Sequence, residues 1–332
     1  GLTGLQNLGN TCFINSAIQC MFNIYELNEF MNSIEIQKKI NNKPDSILLI
    51  EWNKLRDMVW SDNCIISPGG FISNVRTIAR IKDKDIFTGI AQNDLPEFLL
   101  FLIDSFHNAL CREVQMNING IVLNDKDILA KKCYEMMKNM YKKEFSEILT
   151  YFYGIHVSNI ISQQKKILSS NPEPFLNLSL PIPDIEKINI YDCFDKYLEK
   201  EYLEGDNAWY NEETNAKETV TKELIFWTLP KIMIIDLKRF TNNLVKNNKY
   251  ISFPLDDLDM RKYVNEYNNE SYIYELIGIC NHIGSSNCGH YTSFIKNHNE
   301  KWYHYDDMEV NEINKTNVVT TNAYCLFYRK KY

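Results

Sequence analysis

Three residues far apart in this chain have the types that acyl transfer through sulfur requires. Cys12 is a nucleophile, His290 a base, and Asp306 a carboxylate able to fix the tautomer and orientation of an imidazole. Cys12 lies in the stretch Gly4-Leu5-Gln6-Asn7-Leu8-Gly9-Asn10-Thr11-Cys12-Phe13-Ile14-Asn15-Ser16, with two asparagines just upstream. Asn10 or Thr11 can cap a helix that begins at the cysteine, and the exposed N–H groups and positive end of that helix favour thiolate over thiol. Taken alone, a cysteine followed at helical spacing by Phe13, Ala17, Met21 and Ile24 reads as a small buried hydrophobe. A second cluster shifts that weighing: His282-Ile283-Gly284-Ser285-Ser286-Asn287-Cys288-Gly289-His290-Tyr291-Thr292, followed by Lys301-Trp302-Tyr303-His304-Tyr305-Asp306-Asp307.

For the set to act, the fold must cancel a separation of nearly three hundred residues. Residues 290–296 and 302–305 read as two strands joined by the polar turn Asn297-His298-Asn299-Glu300, a hairpin that returns Asp306 to the side of His290. Residues 1 to about 145 carry apolar residues at helical spacing over 12–31, 48–60, 94–110 and 128–145, and Pro68-Gly69-Gly70 precedes a further helix. Asp94 with Glu97 resembles a capping box ahead of Phe98-Leu99-Leu100-Phe101-Leu102. From about 146 the texture changes to strands over 175–180, 231–240, 272–281, 290–296 and 323–329. The expectation is an α+β chain, a helical lobe followed by a sheet-rich lobe, with Cys12 and His290 on opposite sides of the cleft between them.

Composition sets bounds on the class. The 332 residues, 45% hydrophobic and 13% aromatic, suffice for a substantial core in one large domain or two ordinary ones. A net charge of -7 gives no nucleic-acid surface, and no apolar run is long enough to span a bilayer. Nine cysteines scattered without close pairs, and no signal peptide, point to a reducing cytoplasmic or nuclear setting.

The two clusters, with four stretches between them, resemble the catalytic domain of the ubiquitin-specific proteases, a papain-like cysteine deubiquitinase family with a hand-shaped fold. The intervening stretches are Gln92-Asn93-Asp94-Leu95-Pro96-Glu97-Phe98, Glu173-Pro174-Phe175 through Leu180, Leu229-Pro230 through Phe240, and Phe253-Pro254-Leu255, all in the family's order. The resemblance covers essentially the whole chain. It implies a single catalytic domain over 1–332, with a helical thumb over about 1–145, a sheet-rich palm and fingers over about 146–332, and the fingers themselves at about 156–228.

The resemblance implies that Cys12 is the nucleophile, His290 the general base and then acid, and Asp306 the residue orienting the imidazole, with Asp307 a supporting or alternative partner. Asn7 matches the oxyanion-hole asparagine, Asn10 being the weaker candidate. Gln92 and Asp94 would bind the extended C-terminal tail of ubiquitin, and His282 and Tyr291 either line the same channel or are packed strand residues. Loops 241–250 and 283–289 match the two that flank that tail; they close over it or are plain hairpin connections. Cys288 reads as a loop residue. Partners would be ubiquitin and ubiquitinated proteins, met by a monomer, with no nucleic acid and no membrane. A protease for another modifier such as SUMO or NEDD8, or a ubiquitin-binding pseudoenzyme, are the alternatives. One departure from the family stands out. Where relatives carry two Cys-x-x-Cys pairs that clamp zinc, this chain has Ser162-Gln163-Gln164-Lys165 and Asn211-Glu212-Glu213-Thr214. These cannot make a tetrahedral thiolate site, so the expectation is no cofactor and no structural zinc.

Overall fold

A computed structural model describes residues 1–62, 64–89, 93–241, 243, 245–267, 271–285 and 288–331. The first half is helical: α1 (Cys12–Phe22), α2 (Tyr25–Asn32), α3 (Ile34–Lys39), α4 (Asp45–Ser61), α5 (Gly69–Ile81), α6 (Leu95–Leu110), α7 (Asp125–Lys143) and α8 (Glu147–Phe152), with α9 (Ile190–Tyr197) later. Two short strands, β1 (Gly4–Leu5) and β2 (Ile65–Ile66), pair in parallel beside these helices. The rest is mostly strand: β3 (Gly154–Ser162), β4 (Ile167–Phe175), β5 (Asn177–Leu180), β6 (Ile188–Asn189), β7 (Glu201–Leu203), β8 (Trp209–Asn211), β9 (Ala216–Glu218), β10 (Val220–Thr228) and β11 (Ile232–Leu237). It continues with β12 (Ile251–Ser252), β13 (Leu258–Asp259), β14 (Ile273–Gly284), β15 (Gly289–Lys296), β16 (Trp302–Asp306), β17 (Glu309–Ile313) and β18 (Ala323–Lys330).

The central sheet runs β17-β16-β15-β14-β18-β11-β5, with β13 also on β14. Its inner strands are buried on both faces, which is why Ile232-Met233-Ile234-Ile235 reads as an unbroken apolar run. Ile232 and Ile234 join the helical core with Tyr291, Tyr303 and Tyr305, while Met233, Ile235 and Leu237 join a second core on the opposite face with α9. Every residue of α1 is buried, and this helix packs directly on the sheet: Ser16 Oγ donates to the Thr292 carbonyl at 2.9 Å. A smaller sheet, β4-β3-β10-β7, lies apart, with α7 covering one face through Cys133 and the buried Trp227.

Several boundaries differ from the sequence expectation for identifiable reasons. The helix expected over 12–31 breaks at 23–24. Asn23 Nδ2 bonds back to the Gln19 carbonyl at 2.9 Å and Asn28 Nδ2 takes the Phe22 carbonyl, so side chains satisfy the acceptors that a continuing helix would use. α7 begins at 125 rather than 128, behind an Asn124/Asp127 capping box. The capping box expected at Asp94 is not made: Asp94 occupies the N-cap position of α6 without a side-chain cap bond, and its carboxylate turns instead to the Tyr324 hydroxyl at 2.7 Å. Nor does the side chain of Thr11, at the N-cap position, cap α1; Asn10 before it has φ 53.

Candidate active site

The β15–β16 hairpin forms in the expected register, pairing Ser293 with Tyr305 and Lys296 with Trp302, and so returns Asp306 to His290. Their contact is short: His290 Nε2 lies 2.6 Å from Asp306 Oδ1, with both side chains about two-fifths exposed. With Nε2 committed to the carboxylate, Nδ1 is the nitrogen left to serve as a base.

Cys12 is the first residue of α1 and is 2% exposed. Its sulfur sits among the backbone N–H groups of Cys12, Phe13 and Tyr291, the last being His290's neighbour on β15. These N–H groups favour thiolate, as the sequence suggested, but burial outweighs them and the nearby Asp307 carboxylate adds to it. The thiol is pushed above its ordinary value of 9.0. The N–H groups act in the direction the sequence suggested, and burial sets the net shift against them. Burial thus disfavours the thiolate at Cys12, while the His290 imidazole is held by Asp306.

The adjacent carboxylates have separate partners. Asp306 faces His290, whereas Asp307 begins a turn in the left-handed region (φ 48) and directs its oxygens at two asparagine amides. Asp307 Oδ2 accepts from Asn7 Nδ2 at 2.9 Å, and Asp307 Oδ1 from Asn15 Nδ2 at 2.8 Å. Its carbonyl also accepts from the Leu5 N–H at 2.8 Å. The chain passes so close here that a Cβ on Gly4 would lie 2.2 Å from the Met308 carbonyl oxygen, which accounts for a glycine at that position. The Asn7 side chain is oriented from both ends: its Oδ1 accepts from the N–H groups of Gly9 and Thr11 at 3.1 and 3.2 Å while Nδ2 faces Asp307, leaving the second N–H of Nδ2 beside the nucleophile's helix.

Of the four tail-binding candidates, Gln92 lies outside the described residues. Asp94 sits at the start of α6, tied to Tyr324. His282 and Tyr291 are 3% and 6% exposed with ring centroids 4.7 Å apart, so in this state they are packed strand residues. Burial and the nearby Lys246 ammonium lower His282 to about 4, and Lys246 Nζ donates to its carbonyl at 2.5 Å. A Cβ at Gly289 would lie 2.2 Å from His282 Nε2, so the glycine before His290 is what lets these strands close. The first expected flanking loop thus meets the end of β14 just before the second, through Lys246 and His282; residues 242, 244, 286 and 287 of the two loops lie outside the described set.

At the positions where the family pattern has thiol pairs, the structure has two hairpin tips. Lys165 N–H donates to the Ser162 carbonyl, and Lys166 N–H to Ser162 Oγ. In the second, Asn211 Oδ1 accepts from the Glu213 N–H, while Asn211 Nδ2 and Thr214 Oγ1 both donate to Glu218 Oε1. Among the described residues the one group with metal-ligand types in reach of one another is His290, Asp306 and Asp307. Its carboxylates are already engaged by imidazole and amides.

Asn15 and Tyr324 were not singled out from sequence. Asn15 is three residues after Cys12, one turn along the same helix, and that spacing was the available signal. Nothing local in the sequence marks Tyr324, whose role comes from the pairing of β18 with β14.

A thiol at a helix start, an imidazole held by a carboxylate and an amide oriented by a second carboxylate come together at this site. The family model described as ubiquitin carboxyl-terminal hydrolase matches residues 3–328. Ubiquitin carboxyl-terminal hydrolase 2 of Homo sapiens is 30% identical over 346 residues, which include 99% of this chain and 55% of that protein. A probable ubiquitin carboxyl-terminal hydrolase of Acanthamoeba polyphaga mimivirus is 27% identical, covering 99% of this chain and 90% of that protein. Among solved structures, the SAGA Ubp8/Sgf11/Sus1/Sgf73 DUB module bound to ubiquitin aldehyde superposes with TM-score 0.75 at 28% identity, covering 99% of this chain and 69% of that one. The chain therefore spans little more than half the length of the mammalian relatives it matches. The α+β architecture is the papain-like fold of those structures, and on the strength of a match running almost end to end the chain belongs to the ubiquitin carboxyl-terminal hydrolase family.

Proposed function

We propose that this chain is a thiol-dependent deubiquitinase that hydrolyses the isopeptide bond after the C-terminal glycine of ubiquitin. The observation that carries this reading is the convergence of Cys12, His290, Asp306 and Asn7 from segments nearly three hundred residues apart. The Cys12 sulfur attacks the glycine carbonyl. The oxyanion is held by the free N–H of Asn7 Nδ2 and the Cys12 backbone N–H. His290, held at Nε2 by Asp306, takes the thiol proton and returns it to the departing lysine amine; a water activated by His290 then releases ubiquitin from the thioester. Every step uses the chain's own residues.

Ubiquitin's tail ends in two glycines and must be gripped through its backbone. Gln92, Asp94, His282 and Tyr291 are the groups assigned to that grip, with loops 241–250 and 283–289 on either side. Because burial raises the thiol, seating of the tail, which displaces water around it, is assigned as the step that engages sulfur with imidazole. The helical part is assigned as thumb, the central sheet as palm, and the sheet over about 156–228 as fingers without zinc. No helix among the described residues is long and apolar enough to cross a membrane. A monomer acting on ubiquitinated proteins in the cytoplasm or nucleus, without nucleic acid, completes the reading.

The test is release of a fluorophore from the C-terminus of ubiquitin, beside SUMO and NEDD8 substrates of the same design. Turnover of the ubiquitin substrate alone is expected. Turnover of another modifier instead reassigns the substrate, and ubiquitin binding without turnover of any of the three makes the chain a pseudoenzyme.

A further inference from the structure

The proposed mechanism asks the Asn7 amide to wait in the right place before substrate arrives, although Asn7 lies on an exposed segment between β1 and α1. Its side chain has one long-range partner, Asp307 Oδ2. A carboxylate at a turn can rotate about its own axis, and whichever oxygen faces Asn7 decides where the amide points. The other oxygen, Oδ1, is held by Asn15 Nδ2 at 2.8 Å.

Asn15 is well placed to act as a fixed post. It is 2% exposed, one turn beyond Cys12 on a helix whose residues are all buried. Its other contacts from Nδ2 run to the carbonyls of Leu5 and Gln6, at 3.4 and 3.3 Å. These belong to the two residues that lead into Asn7. Three neighbours that can only accept determine the amide's orientation, and its own Oδ1 has no partner. Its amide is thus committed through the Nδ2 end, on a helix buried along its whole length. One side chain on the nucleophile's helix thus holds both the backbone approaching Asn7 and the carboxylate that holds Asn7's amide.

We infer that Asn15 is a positioning residue for the oxyanion-binding amide of Asn7, acting through Asp307. The inference rests on the proposed role of Asn7. It accounts for two adjacent aspartates at the end of β16: Asp306 orients the base, and Asp307 relays position from the nucleophile's helix to the oxyanion donor. Asp307 also raises Cys12, and its two oxygens are each held by an asparagine amide.

The experiment is a double-mutant cycle on the full chain with the ubiquitin–fluorophore substrate, reading kcat and KM separately for Asn15→Ala, Asp307→Ala and the pair, with Asn7→Ala alongside. Loss of a pre-oriented oxyanion donor lowers kcat by about 10²-fold, so Asn7→Ala is expected to show that loss. Asn15→Ala, which loosens the donor without removing it, is expected to lower kcat about tenfold with KM held within about twofold. In the Asp307→Ala background, Asn15→Ala is expected to lower kcat by far less than it does alone, since only its hold on the Leu5 and Gln6 carbonyls remains to be lost. Should Asn15→Ala not fold, Asn15→Ser takes its place in the cycle with a smaller loss. An unchanged kcat in the Asn15 variant, or losses that multiply in the pair, overturns the inference. If Asn7→Ala itself keeps its kcat, the oxyanion assignment fails before the relay does.

Discussion

The rim where α1 meets the β15–β16 hairpin and the tips of the smaller sheet are built on opposite principles. At the rim, contacts join residues 276 to 300 positions apart: Ser16 to Thr292, Asn15 to Asp307, Asn7 to Asp307. At the tips, the bonds that close each turn are local, from Ser162 to Lys166 and from Asn211 to Glu218. Long-range contacts are what a reaction needs, since they fix groups from separate elements against each other. Local ones suffice to close a hairpin, and Asn211 and Ser162 supply by hydrogen bonding the turn closure that a thiol cage would otherwise impose. The difference teaches where substitutions should be felt as lost turnover and where only as lost stability.

The largest effect is expected at the rim. Asp306→Ala releases the imidazole at Nε2, and kcat is expected to fall by about 10³- to 10⁴-fold with little change in melting temperature, as fluorophore release and calorimetry would record. Equal loss on replacing Asp306 and Asp307, with the imidazole's orientation unchanged, would blur the division between the two carboxylates.

The protonation of the nucleophile sharpens the same contrast. Because burial first and Asp307 second raise Cys12 above 9.0, alkylation of the free protein at Cys12 by iodoacetamide should climb about tenfold per pH unit through neutral pH without a plateau below 9. Asp307→Asn removes one of the two raising effects and should speed alkylation at pH 8. A plateau near pH 7 in the unmodified protein would mean that the helix end and His290 already stabilise the thiolate.

Acid stability gives an intermediate effect. His282 is lowered to about 4 in the folded chain, whereas an unfolded histidine titrates near 6.5. Between those values the unfolded state binds a proton that the folded state refuses, so stability falls as pH drops from 6.5 to 4, by up to about 3 kcal/mol. His282→Gln should flatten that part of the urea-unfolding profile measured against pH, and an unaltered slope would place the titration elsewhere.

The smallest effect belongs to the tips. Asn211→Ala and Ser162→Ala are each expected to lower stability by about 1 kcal/mol and to leave kcat on the fluorophore substrate unchanged. Dialysis against a chelator should leave the melting temperature where it was. A drop on chelation would show that a metal helps to hold the fingers.

Much of this was legible in the sequence because reactive chemistry restricts residue types. The Cys12, His290 and Asp306 set, the hairpin that joins the last two, and the texture change near 146 all follow from type and period. Asp307 was harder to place, since neighbouring carboxylates in a strand look alike until one begins a left-handed turn and swings toward another segment. Asn15 was passed over as part of a helix start, although its spacing from Cys12 put it on the relevant side. The opposing effect of burial on Cys12 is not visible in local sequence, because the cost of desolvation depends on the sheet packed over the helix. Asp94 shows the same lesson in reverse, a local cap signal overridden by a hydroxyl arriving from β18.

The central claim is that this buried thiol becomes the nucleophile when a ubiquitin tail is seated. The most direct measurement is the intact mass of the chain after reaction with ubiquitin carrying a C-terminal electrophile, beside Cys12→Ala. One ubiquitin adduct on the unmodified chain and none on Cys12→Ala is the predicted result. An adduct that survives Cys12→Ala, or none on a chain that binds ubiquitin, would contradict it.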